Sequence, residues 1–263
     1  MGSISADGVP RVRRVKLREV FADGTVARLY RHRPPYPDAV FALLAERLVL
    51  PRTVLDAGAG TGALARRMTA FAERVDALEP SAAMIAEGRL LTGGNDRGIR
   101  WIRGSAESGP IEPPYGLITC GESLHWMNLA AVLPRFRDAL APGARLAIVG
   151  NANVHGTYRE EVWAITDRYA VVAKHPETPD AVAAVRASGL FKIEEEERTE
   201  PMSFEQSVDE YIEFLHSTSV LTHAQLGERA QALDAELRAV FARRGIEQLR
   251  YGVVATLTWA AAM

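Results

Sequence analysis

Between Arg52 and Gly150 the apolar positions follow two alternating rhythms. Short β-branched and apolar runs are separated by stretches whose apolar residues recur every three or four positions. The runs Arg52–Asp56, Arg74–Glu79, Ile99–Gly104, Tyr115–Cys120 and Arg145–Gly150 are predicted as strands. Helices are predicted from Gly62 to about Phe71, from the capping Ser81 through Met84 and Ile85, and from the capping Asn128. The last carries Leu129, Val132, Leu133, Phe136 and Leu140 on one face and is ended by Pro142-Gly143. Strand and helix in alternation predict an α/β protein with a doubly wound parallel sheet. Ahead of it, a helix over Leu17–Arg31 is interrupted by Asp23-Gly24, and a helix over residues 38–49 turns Val40, Leu43, Leu44 and Leu48 to one side.

The second half has another rhythm. Thr157-x-x-Glu160 predicts a capping box for a helix through Val162, Ile165 and Tyr169, and Ala181–Ala187 is a short helix. Phe191–Arg198 is a strand crowded with charge, as suits an edge that must not pair with other chains. A final strand spans Tyr251–Ala260. Between these strands lies a helical insertion, about 203–246. One face holds Val208, Tyr211, Ile212 and Leu215. A longer helix opens at Thr222-x-x-Gln225, carries Leu226, Leu233, Leu237 and Phe241, and closes at Arg243-Arg244-Gly245. An antiparallel hairpin needs only a short turn, so the insertion is surplus to the sheet. It is expected either as a lid over a substrate site or as a helical pair that enlarges the core.

Composition narrows the class. The chain has 263 residues and a net charge of −2, with no electrostatic footprint for nucleic acid or an anionic membrane. Its one cysteine, Cys120, allows neither an internal disulfide nor a cysteine metal site. No apolar run reaches a membrane span, no secretory signal is visible, and Ala6 stands where a myristoylation signal needs Ser or Thr. A cytoplasmic protein without a metal is expected, with oligomeric state open.

The chemistry concentrates where the first strand runs into Gly58-Ala59-Gly60-Thr61-Gly62. Strand, glycine turn and helix form a cradle for a nucleotide-like cofactor. Gly58-x-Gly60-x-x-Ala63, with Glu79 near the expected offset for a ribose-binding acid, fits a dinucleotide. Asp56 favours something else. A carboxylate two residues before the first glycine opposes a pyrophosphate but suits the sulfonium and ammonium of S-adenosylmethionine.

The stretch Val54–Gly62 resembles motif I of the class I S-adenosylmethionine-dependent methyltransferases. Arg33-Pro34-Pro35-Tyr36-Pro37 resembles the segment with which many small-molecule members close over the cofactor, and Leu124-His125-Trp126-Met127 resembles a segment after their fourth strand. By itself the proline segment also fits a rigid connector or a polyproline ligand. The resemblance implies a Rossmann-like, seven-stranded, mostly parallel sheet in the order 3-2-1-4-5-7-6, with residues 17–37 as a cap within one domain. It implies cofactor contacts from Tyr30, Arg33, Asp56, Gly58, Gly60, Gly62, Glu79, Pro80, Met84, Ser105, Ala106, Glu107, Cys120 and Gly121. Glu79 would bind both ribose hydroxyls. Ser105 stands where many members have Asp, and Cys120 by itself reads as buried packing.

Transfer of an activated methyl needs a nucleophile held close and kept from water, so positioning alone can suffice. For an O or N nucleophile of a small organic molecule, His125 is the leading general base. Tyr36, Glu122, Trp126, His155, His216 and Ser219 complete the expected acceptor side. The absence of an Asn/Asp-Pro-Pro-Tyr motif argues against nucleic-acid amino groups. Two other readings stay open: a nicotinamide-dependent oxidoreductase, and a protein that binds S-adenosylmethionine without methylating.

Overall fold

The computed structural model describes residues 17–154, 156–170 and 181–263. After a 3-10 segment at Leu17–Ala22 come α1 (Gly24–Leu29), α2 (Asp38–Arg47), β1 (Thr53–Ala57), α3 (Ala65–Met68), β2 (Arg74–Glu79), α4 (Ala82–Leu90), β3 (Ile99–Arg103), β4 (Tyr115–Gly121), α5 (Leu129–Ala139) and β5 (Leu140–Val154). Then follow α6 (Arg159–Tyr169), α7 (Ala181–Ala187), β6 (Phe191–Arg198), β7 (Met202–Ser207), α8 (Val208–His216), α9 (His223–Leu226), α10 (Arg229–Arg243) and β8 (Gln248–Ala262).

The described chain forms two compact units. One comprises residues 17–33, 157–170 and 206–249, and the other 34–154, 181–205 and 250–263. The second holds the sheet, in the order β3-β2-β1-β4-β5-β8-β6 with β7 paired to β8. Strands β1 to β5 are parallel, and β8 is antiparallel to both β5 and β6. The anticipated order is therefore present, and the strand crowded with charge is at the edge. β7 departs from expectation: residues 203–207 fall in the predicted helical insertion, but they alternate as a strand in which Gln206 is buried.

Alternate residues of the central strands face opposite cores. Val54, Val75 and Leu117 join Val40, Leu44, Met68 and Trp259 on one face of the sheet. Leu55, Leu78 and Ile118 join Val132, Leu133, Phe136 and Phe191 on the other. Both faces are covered, so these strands are near-continuous apolar runs. Three of the four acidic residues of β6 have arginine partners: Arg47 donates to Glu195 and Glu197, and Arg145 to Glu194.

Several helix boundaries differ from expectation. Asp23 breaks the first helix by capping the next, its side chain accepting from Thr25 N at 2.7 Å. α3 is a single turn, because the left-handed glycines before it occupy the chain as far as Gly62 and the Thr69 hydroxyl bonds back to Arg66 O. Asn128 is at the predicted cap but makes no side-chain capping bond. Thr157 and Glu160 form no capping box; Tyr158 is the residue at that N-terminus. The Thr222–Gln225 box is present, yet it opens only α9, because Gly227 at φ 56° separates α9 from α10.

In the helical unit, α10 sets Val240 and Phe241 inward, where Phe241 meets the rings of Tyr158 and Tyr211. In the sheet unit one buried acid joins three strands. Asp76 of β2 is fully buried and accepts from Arg100 of β3 at 2.8 and 2.7 Å and from the Tyr115 hydroxyl of β4 at 2.7 Å. Without Asp76 the Tyr115 hydroxyl loses its acceptor, while Arg100 is half-exposed and keeps Glu112 at 2.6 Å. Asp76→Ala is expected to cost about 1–3 kcal/mol in urea unfolding; an unchanged unfolding free energy would show that the three strands do not depend on this carboxylate.

Candidate functional site

The turn after β1 is held by its own backbone. Gly58, Gly60 and Gly62 have φ of 72°, 58° and 76°. The amides that would cradle a phosphate have internal partners. Gly58 N and Ala59 N donate to Leu78 O at 2.8 and 3.1 Å, and Gly62 N donates to Ala59 O at 2.8 Å. Gly60 N donates to Glu79 Oε2 at 2.8 Å. Gly62 also admits Trp101: a Cβ there would lie 2.7 Å from the indole ring. Trp101, read from the sequence only as part of a strand, donates its indole N–H to Gly94 O.

Glu79 ends β2 as anticipated, 6% exposed, with its other oxygen accepting from Ser81 N at 2.8 Å. Ser81 in turn caps α4 through Met84 N. Burial raises the Glu79 pKa above the usual carboxylate value, and the two amide bonds oppose that rise. Asp56 is 2% exposed. Its oxygens accept from the Thr119 hydroxyl at 2.8 Å and from Ala65 N at 3.2 Å. Burial first, then the nearby Glu79 charge, push it up to about 7, against the Thr119 and Ala65 bonds. Thr119, a polar residue in an apolar strand, was the legible sign of this pairing. Asp56 and Glu79 make no ion pair among the described residues; the Arg66 guanidinium near the turn is bonded to Thr61 O and Thr92 O.

The other expected cofactor residues of this unit spread along the strand ends. Pro80 is exposed and Met84 buried. Ser105 Oγ lies 3.3 Å from Ser108 Oγ, Ala106 O accepts from Arg135, and Glu107 accepts from Asn128 N at 3.0 Å. Cys120 is fully buried, and desolvation pushes its thiol pKa well up, as packing requires. A Cβ on Gly121 would fall 2.7 Å from the Tyr36 hydroxyl, so that ring lies close over the end of β4. Beyond it Glu122 is exposed at φ 50°, His125 is exposed, and the His125 ring lies 5.0 Å from that of Trp126. Ser123, not foreseen, donates to Ala57 O at 2.6 Å and occupies the space that a Cβ on Gly58 would need.

The remaining predicted residues belong to the helical unit or lie outside the described residues. Arg33 stacks over Tyr30 at 3.9 Å and donates to Ser217 Oγ and O. Ser219 O accepts from Gln225 at 2.9 Å. His216 was expected to face an acceptor. It is instead 1% exposed, with its ring nitrogens at 2.7 Å from Leu221 O and 2.8 Å from Asp234, stacked on His223. The apolar face of α8 draws it inward, and Asp234 makes that burial tolerable. His155 falls outside the described residues.

Residues 54–143 match the family model described as a methyltransferase domain. Uncharacterized methyltransferases of Mycobacterium bovis and Mycobacterium tuberculosis are 32% identical over 123 residues, 46% of this chain and 48% of theirs. The chain thus spans about half the length of the curated relatives it matches. A putative type II methyltransferase from Anaeromyxobacter dehalogenans is similar over 88% of this chain and 97% of its own, at 24% identity and a TM-score of 0.62. An S-adenosylmethionine-dependent methyltransferase from Geobacter sulfurreducens, solved with S-adenosylhomocysteine, is similar over 92% and 98%, at 15% identity and a TM-score of 0.52. Residues 54–143 thus match a methyltransferase domain, and the chain shares the Rossmann-like α/β fold of these methyltransferase structures.

The raised Asp56 pKa carries a sign for stability. The folded chain holds a proton on Asp56 that the unfolded chain releases above about pH 4, so its contribution fades as pH rises toward 7. Asp56→Asn, which keeps one oxygen for Ala65 N and one amide for Thr119, is expected to flatten the fall of unfolding free energy between pH 4 and 7. Identical urea midpoint profiles for variant and wild type would contradict this.

Proposed function

We propose that the protein transfers a methyl group from S-adenosylmethionine to an oxygen or nitrogen of a small organic molecule. The observation that carries this reading is the pairing of two buried carboxylates with a glycine turn whose amides are already bonded. Such a site repels a pyrophosphate and offers it few donors, whereas it suits a cationic ligand with a sugar. Each Glu79 oxygen retains a second lone pair for a ribose hydroxyl.

S-adenosylmethionine, when bound, supplies a methyl activated by a sulfonium. The chain's part is to bind, orient and exclude water. Glu79 holds the ribose, Ser105 and the Ala106-Glu107 pair border the adenine, and Asp56 balances positive charge above β1. Adenine at β3 and ribose at β2 direct the rest of the ligand along the sheet toward β1 and β4. There His125 serves as general base, with Tyr36 and Trp126 beside the acceptor.

The competing oxidoreductase reading needs free amides at the glycine turn, and the hydrogen bonding there disfavours it. Two variants test the assignment together. Glu79→Ala is expected to weaken S-adenosylmethionine at least tenfold by calorimetry. His125→Ala is expected to leave that affinity within about twofold and to lower turnover at least tenfold. Unchanged affinity in the first removes the ribose role, and unchanged turnover in the second removes the base.

A further inference from the structure

Glu122 is the one described non-glycine residue with positive φ, at 50°. A residue with a Cβ enters this region at a cost, and such residues concentrate where a side chain must be aimed. β5 holds it there from both ends. Its N–H donates to Val149 O at 3.0 Å, and its Oε1 accepts from Asn151 N at 2.7 Å. Gly150 between them answers to β8: a Cβ there would sit 2.7 Å from Thr256 Oγ1, but at an ordinary 3.5 Å from Glu122 Oε1. Glu194, Glu195 and Glu197 of β6 are matched by arginines, but Glu122 makes no ion pair among the described residues.

Asn151 adds a second acceptor. Its side-chain amide donates to Pro34 O at 3.1 Å, while its side-chain oxygen is buried and has no donor among the described residues. The end of β4 and the neighbouring stretch of β5 therefore carry an exposed, fixed carboxylate and a buried amide oxygen without a donor, both acceptors. Ligands of open α/β sheets bind at these strand ends. Glu122 follows β4, two strands from Glu79 of β2, a lateral separation of about 10 Å at the usual strand spacing. That places it past the ribose, on the acceptor side.

We propose that Glu122 and Asn151 form the recognition point for a positively charged amine carried by the methyl acceptor. The identification of the ligand as an acceptor rests on the methyl-transfer reading; the preference for a cation rests on the two oxygens alone. A carboxylate that only accepts hydrogen bonds favours an ammonium over an alcohol of the same shape and rejects a carboxylate. The cofactor's own ammonium is the other source of this chemistry, and the experiment separates the two.

Benzylamine, benzyl alcohol and benzoate serve as matched probes, titrated by ligand-observed NMR against the full chain with and without S-adenosylhomocysteine. Benzylamine is expected to bind about fivefold more tightly than benzyl alcohol, the scale of an exposed ion pair, and benzoate most weakly. Glu122→Gln, which keeps an oxygen for Asn151 N, should erase the difference while S-adenosylmethionine affinity stays within twofold. Glu122→Gly, which relieves the left-handed backbone, should keep the wild-type circular dichroism spectrum and also lose the preference. Equal binding of the three probes, or a preference that survives Glu122→Gln, overturns the proposal. So does a preference abolished by S-adenosylhomocysteine together with a tenfold loss of S-adenosylmethionine affinity in Glu122→Gln, because the ammonium recognised is then the cofactor's. If S-adenosylmethionine fails to bind wild type, the methyl-transfer reading falls, while the probe titration still decides the cation preference.

Discussion

Glu79 joins three pieces of chain that would otherwise move independently. One oxygen takes the Gly60 amide of the turn, the other takes the Ser81 amide, and Ser81 caps α4. Leu78 O, one residue back, takes the amides of Gly58 and Ala59. The end of β2 therefore fixes the shape of the turn that follows β1. The same bonds set its electrostatics. A buried carboxylate has replaced an anionic ligand as the partner of a turn amide, so the site is negative where a dinucleotide site would be donor-rich. Burial pushes nearby Asp56 up to about 7, so the charge at the end of β1 depends on pH.

The sheet was largely legible because its signals are local and periodic. β2, β6 and α7 have the bounds that their apolar patterns predict, and the edge position of β6 agrees with its charge. Misreadings arose where backbone conformation competes with side-chain pattern. Three left-handed glycines shorten α3 to one turn, and Gly227 divides a helix that apolar spacing alone would continue. β7 is short and exposed on alternate residues, so it offers little against a helical assignment.

The candidate site was legible in part. Asp56, the glycines and Glu79 announce themselves by position in strand–turn–helix units. Their partners do not, because Trp101, Ser123 and Asn151 reach the turn or the strand ends from distant sequence. His216 shows the opposite hazard. In a polar connector it looks like a ligand, but the amphipathic face of α8 turns it inward onto Asp234. A polar residue at the end of an amphipathic helix can complete a core as readily as it lines a site.

The central claim is that the pocket above β1 and β2 is built for a cation bearing a sugar. Calorimetric titration of wild type at neutral pH with S-adenosylmethionine and, separately, with the oxidised and reduced nicotinamide dinucleotides tests it most directly. The account predicts saturable binding of S-adenosylmethionine and no measurable heat from either dinucleotide. Saturable binding of a dinucleotide that excludes S-adenosylmethionine would contradict it.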